Sequence, residues 1–146
     1  MGTQQILLIV LSVIIVGVAI VVGIGMFNRQ AYNSNKTAIG ADAQQFAAEL
    51  IQHYKTPISQ GGAMNADGTF GNMDLPYLEQ KLGLGSNENG AYTIVDGTPK
   101  FVAATGAGQF NIVGIGRAKN SDGHSPKMVT TITFPAGTIS AVASDQ

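Results

Sequence analysis

Few side chains in this sequence could take part in catalysis or metal binding. The chain contains no Cys and only two His, His53 and His124. The lack of thiols excludes disulfides, thiolate metal sites and Cys nucleophiles. Neither His has an acidic cluster at ligand spacing or a candidate nucleophile near it in the sequence. We therefore expect both to be solvated surface histidines, and we expect no enzymatic activity.

Oxygen-bearing side chains do fall close together in one glycine-rich segment, at Asn65, Asp67, Asn72 and Asp74. Calcium prefers carboxylate and amide oxygens, and a flexible loop lets several of them converge. The spacing lacks the full EF-hand series. Asx turns, in which the side chain binds the nearby backbone, are therefore the favoured interpretation, with a calcium site as the alternative. We expect no other metal and no cofactor.

The charges of the chain are few and unevenly placed. The 146 residues include 8 Lys+Arg and 9 Asp+Glu, which gives a net charge of -1. A balance this close to neutral makes nucleic acid an unexpected partner. The first charged residue is Arg29. The N-terminal stretch therefore differs in character from the rest of the chain.

That stretch contains an uncharged apolar run from Ile6 to Phe27. As a helix it would be about 33 Å long, enough to cross a hydrocarbon layer of about 30 Å. The remaining residues are too few to surround it and also form a core of their own. A cleavable signal is disfavoured because the run is long and no basic residue precedes it. We predict burial in a membrane or in an equivalent apolar environment.

The helical pattern continues beyond this run. Apolar residues recur at helical spacing on one face, namely Tyr32, Ile39, Ala43, Phe46, Leu50 and Tyr54. The opposite face carries the polar residues Lys36, Asp42, Gln45, Glu49 and Gln52. Pro57 should end the helix near Lys55. We assign residues 1–28 to an apolar membrane or filament-core helix and residues 29–56 to an amphipathic helix that packs on a head.

Residues 57–90 are rich in glycine and predict a loop with one short helix, which Asp74 would cap and Gly83 would end. Residues 91–146 alternate in the manner of strands. Asp96-Gly97 predicts a tight hairpin between strands at 91–95 and 98–104. Further strands are predicted at 109–117, 127–134 and 138–142.

These elements predict an α+β fold with a C-terminal antiparallel sheet of four or five strands. The sheet must cover its apolar face, and the stripe from Tyr32 to Tyr54 is the only sizeable apolar helix surface available. The amphipathic half of the long helix should therefore pack on the sheet. The apolar half should project from the head.

An apolar helix that starts almost at residue 1, its amphipathic continuation, a glycine-rich loop and an antiparallel sheet together resemble type IV pilins and pseudopilins. Gln5 stands where the resemblance implies a Glu that pairs with the N-terminal amine of a neighbouring subunit. Gln5 can accept a hydrogen bond but cannot form that ion pair. No basic leader precedes Met1 here, which implies either a processed subunit or a different export route.

The resemblance implies a structural subunit of an extracellular filament at the cell surface, drawn from a membrane-anchored pool by a pilus-type assembly machinery. Its partners would be other copies of itself. The resemblance and the apolar run together define a predicted polymerisation core: Met1, Gln5, Ile6, Leu7, Leu8, Val10, Leu11, Ile14, Ile15, Gly17, Val18, Val21, Val22, Gly23 and Gly25. Small glycines would let the helices approach closely.

Two alternatives remain open at this point. A pseudopilin of a secretion apparatus would have the same architecture and form only a short assembly. A single-pass membrane-anchored binding domain would keep residues 6–27 permanently in lipid. Arg29 and Lys36 follow the apolar run with no basic residue before it, which taken alone would place the head in the cytoplasm. We discount this asymmetry, because a removed leader could have carried the opposing charges.

Overall fold

The computed structural model of the chain describes residues 2–145. The first helix, α1, spans Gly2–Lys55, and a short 3-10 helix follows at Ile58–Gln60. A second helix, α2, spans Leu75–Lys81. The strands are β1 (Gly90–Asp96), β2 (Gly108–Gly116), β3 (Pro126–Phe134) and β4 (Thr138–Asp145). The fold is α+β, as predicted.

Helix α1 is continuous through both the apolar and the amphipathic stretch. Its 54 residues correspond to a length of about 81 Å. It ends where predicted, because Pro57 cannot continue the hydrogen-bonding pattern. Every residue from Gly2 to Ala31 is exposed, and Tyr32 is the first that the head buries. The N-terminal half therefore projects from the head as a single rod.

The four strands form one antiparallel sheet in the order β1-β2-β3-β4. Side chains alternate between the two faces, and strand β2 shows this most clearly because every second residue from Gly108 to Gly116 is buried. Helix α1 packs mainly on β2 and β3. Strand β4 lies at the sheet edge, and all eight of its residues are exposed.

The core lies between α1 and the helix-facing side of the sheet. Its fully buried members include Ile39, Leu50, Phe110, Ile112 and Ile132. Gly90 allows the close approach of the helix, since a Cβ there would lie 3.2 Å from the Ile39 side chain. The loop helix α2 adds Leu78 to the same core.

The predicted hairpin at Asp96-Gly97 is wrong. Strand β1 pairs with β2, with Asp96 opposite Phe110, and residues 98–104 belong to a long connection instead of a strand. The reason is packing: the Phe101 ring turns into the core and lies 5.1 Å from the Phe110 ring. Burying this ring outweighs the local preference of the Asp-Gly pair for a tight turn. The other four predicted strands are present.

Candidate functional site: the projecting helix and its junction with the head

The most unusual surface of the molecule is the projecting part of α1. Its large apolar side chains have exposed fractions from 50% at Val10 to 79% at Phe27. This part of the helix is long and apolar enough to cross a membrane, and none of it is buried against the head. An uncharged surface of this size needs an apolar partner from outside the subunit.

All predicted polymerisation-core residues from Gln5 to Gly25 lie on this exposed rod, and Met1 lies outside the described residues. A Cβ placed on Gly17, Gly23 or Gly25 would meet nothing within 4 Å. These glycines therefore leave shallow notches where another helix could approach. The Ser12 hydroxyl donates to the Leu8 carbonyl at 2.7 Å, so its polarity is satisfied within the helix.

The rod enters the head at a polar clamp made by the end of β4. The Tyr32 hydroxyl donates to the Asp145 carboxylate, and Lys36 lies 3.8 Å from the same carboxylate. The hydrogen bond to Asp145, with burial and the nearby negative charge, raises the pKa of Tyr32 to about 12. This ion pair draws Lys36, which lies on the polar face of α1, to the sheet edge.

A second contact fixes α1 against the loop that precedes β1. The Asp42 carboxylate oxygen Oδ2 accepts hydrogen bonds from Asn87 at 3.0 Å, Asn89 at 2.8 Å and Tyr92 at 2.7 Å. Bonds from Asn89 and Tyr92 hold the pKa of Asp42 below its ordinary value. The loop before β1 therefore folds back over part of the polar face of α1, which sequence periodicity cannot show.

Asn35 provides a third contact between α1 and the head. Its Nδ2 donates to the Asn89 carbonyl at 2.7 Å, and its Oδ1 accepts from the Ala118 amide at 3.1 Å. Together with the clamp at Tyr32 and the contacts of Asp42, Asn35 connects α1 to three separate parts of the head. The direction in which the rod leaves the head is thereby fixed.

The apolar stripe of α1 packs on the sheet, as its helical spacing predicted. Ile39, Ala43 and Leu50 are fully buried. Phe46 is only half buried and lies edge-on to the Tyr92 ring at 5.2 Å. Periodicity did not single out Ala47, which is also fully buried.

Tyr54, at the C-terminal end of α1, anchors a cluster of rings. It stacks on Phe70 and packs on Phe134, in both cases with ring centroids 4.4 Å apart. Its hydroxyl donates to the Gly106 carbonyl at 2.8 Å. The ring is buried, which raises the pKa of Tyr54.

Two of the four oxygen-bearing residues proposed for calcium, Asn65 and Asp67, bind within their own turn. Asp67 accepts hydrogen bonds from the Thr69 amide and hydroxyl, which is the pattern of an Asx turn. Asn65 donates to the Thr69 hydroxyl at 2.9 Å, and Asp74 stands directly before α2. Within residues 2–145 no group of three or more His, Cys, Asp or Glu is arranged to hold a metal ion.

The two histidines differ in their surroundings. His124 is exposed in the turn between β2 and β3, as expected. His53 was wrongly predicted to be solvated: only 6% of it is exposed, and its Nε2 donates to the Asn72 carbonyl at 3.0 Å. The loop after α1 folds back over this helix end and covers the ring, which the helical pattern alone could not indicate.

No family model, curated protein or solved structure matches this chain. The class of protein is therefore defined by the fold and by the exposed apolar surface of α1. The chain is an α+β protein whose long apolar N-terminal helix is suited to membrane anchoring or polymerisation.

Proposed function

We propose that the protein is the structural subunit of a type IV pilus-like filament at the cell surface, which polymerises through the projecting half of α1. The observation that carries the proposal is the rigid continuity of α1. Helix α1 has no break between Gly2 and Lys55. Its residues Tyr32, Asn35 and Asp42 fix it to the head.

This continuity favours a repeating assembly over a simple anchor. A membrane-anchored binding domain needs no defined angle between its anchor and its head, and a flexible linker would serve it. A helical polymer does need that angle, because every subunit must present the same surfaces to its neighbours. The clamp at Tyr32 and Asp145 supplies such a fixed angle directly after the apolar run.

The physical basis of assembly is an exchange of partners for the apolar rod. Before assembly the segment from Ile6 to Phe27 lies in lipid, where all its backbone groups are satisfied by the helix. In the filament the same surfaces pack against the rods of other copies, and Gly17, Gly23 and Gly25 allow close approach. No side-chain charge is carried into this interior, because the first charged residue is Arg29.

The heads would then form the outer surface. A net charge of -1 per subunit keeps the repulsion between neighbouring heads small. The contact surfaces used by one copy differ from those it offers to the next, so the assembly grows as an open helix and does not close into a ring. Membrane insertion before assembly and an assembly machinery that extracts the rod are part of this proposal.

The test is a comparison of two insertions in the full-length chain. A short Gly-Ser insertion between Phe27 and Asn28 keeps the apolar rod and the head but breaks their rigid connection. The same insertion between Ser121 and Asp122, in an exposed turn, is the control. Material sheared from the cell surface is imaged by electron microscopy, and membrane fractions are assayed for the chain.

We expect filaments from the wild type and from the Ser121 insertion, and none from the Phe27 insertion, whose chain should stay in the membrane. Wild-type levels of filament from the Phe27 insertion would refute the role of rigid continuity. A wild-type chain found only in the membrane, with no filaments in the sheared fraction, would favour the anchored binding domain.

A further inference from the structure

We propose that the exposed edge strand β4 is a contact surface for a second copy of this chain within the filament, an inference that rests on the proposed function. Among residues 2–145, strand β4 pairs only with β3, and its outer edge is open. All eight residues from Thr138 to Asp145 are exposed, a length of about 26 Å.

The two edges of the sheet differ in how far other segments cover them. The outer edge of β1 is partly covered, because Ser86 bridges to Ala91 and the Tyr92 amide donates to the Gly85 carbonyl at 2.7 Å. Arg117 holds this cover in place through a hydrogen bond to Ser86 at 2.7 Å. No comparable segment covers β4 within the described residues.

Strand β4 also lacks the features that usually protect an open edge. It contains no Lys, no Pro and no charge before Asp145, although such residues commonly prevent edge-to-edge association. Apolar side chains are exposed on both of its faces. Ile139 is 42% exposed on the helix-facing side, and Val142 is 62% exposed on the other.

The strand is held rigid at both ends. The Gly137 amide, just before β4, donates a hydrogen bond to the Thr133 carbonyl at 2.8 Å. Asp145, at the other end, binds Tyr32 and pairs with Lys36. A strand fixed in this way loses little conformational entropy when a partner binds.

The position of β4 points to a second copy as the occupant. Its C-terminal end meets α1 at Tyr32, close to where the apolar rod ends at Phe27. In the proposed filament, a neighbouring copy that packs on this rod would therefore also lie beside the C-terminal end of β4. Stable interfaces bury about 800 Å² on each partner, more than one edge strand can offer alone, so β4 acts only together with the rod.

The absence of Cys from the chain allows a direct test in the full-length protein. Val142→Cys places one thiol on β4, and Thr93→Cys places a control thiol at an exposed position on β1. Maleimide-polyethylene glycol labelling is measured in sheared filaments, in the unassembled membrane pool and in detergent-dispersed chain.

We expect the β4 thiol to react about tenfold more slowly in filaments than in detergent, because a packed contact excludes the reagent. It should react rapidly in the membrane pool, and the β1 thiol should react rapidly in all three states. Equal rates for the β4 thiol in filaments and in detergent would overturn the inference and leave the proposed function intact. Protection already present in the unassembled pool would assign β4 to the lipid surface and would also overturn it.

If the wild type forms no filaments, the proposed function fails on its own terms. The inference fails with it, because β4 is proposed to contact a second copy only within the filament.

Discussion

Leu50 offers the sharpest test of how α1 lies on the sheet. Its side chain is fully buried in the core. The Leu50→Ala change removes three carbon atoms, which forfeits about 2.4 kcal/mol at about 0.8 kcal/mol per buried group. The cavity left behind raises the expected loss to about 3 to 4 kcal/mol. In a head of this size that corresponds to a fall in Tm of about 10 to 15 °C.

The measurement is thermal and urea unfolding of a head fragment that begins at Asn28, with circular dichroism as the signal. Gln52→Ala is the matched control, because Gln52 is exposed on the same helix, and it should change stability by less than about 0.5 kcal/mol. Equal stabilities of the two variants would refute the packing register of α1. A loss of stability in both variants would show that the head also depends on the exposed face of this helical turn.

Two further changes test the polar and the backbone contacts of the head. The depressed pKa of Asp42 means that the folded head favours the carboxylate, so its stabilisation is present above about pH 4 and is lost as pH falls further. Urea unfolding should show a steeper acid loss for the wild type than for Asp42→Asn, and parallel curves would contradict this. Gly106 has a φ of +63°, and a Cβ there would lie 2.1 Å from the Phe70 ring, so Gly106→Ala should cost more than about 2 kcal/mol. Gly123→Ala is the control, because Gly123 has a φ of +84° but open space around it. It should lower the free energy of unfolding by about 1 kcal/mol. Equal losses of stability in the two variants would contradict the packing argument.

Local patterns predicted the long elements well. The uncharged run from Ile6 and the helical spacing up to Tyr54 depend on residues near each other in sequence, so periodicity and composition reveal them. Pro57 marked the helix end for the same reason. Strands β2, β3 and β4 also follow from alternation within each segment.

Contacts between distant segments could not be predicted in this way. The Asp96-Gly97 pair is typical of a hairpin, yet the pull of Phe101 into the ring cluster decides the path of the chain. His53 was assigned to solvent and the partners of Asp42 were not predicted, because the loops that contact these two residues are distant from them in sequence. Such burial is a property of the tertiary fold and not of the local pattern.

The central claim is that the projecting half of α1, and not the head, drives assembly. The most direct measurement is size-exclusion chromatography with light scattering on the fragment that begins at Asn28, beside the full-length chain under filament-forming conditions. The fragment retains the core residues Ile39 and Leu50 and the whole sheet, so it should be folded and monomeric, while the full-length chain assembles. A fragment that still forms filaments would place the driving contacts between heads and contradict the account.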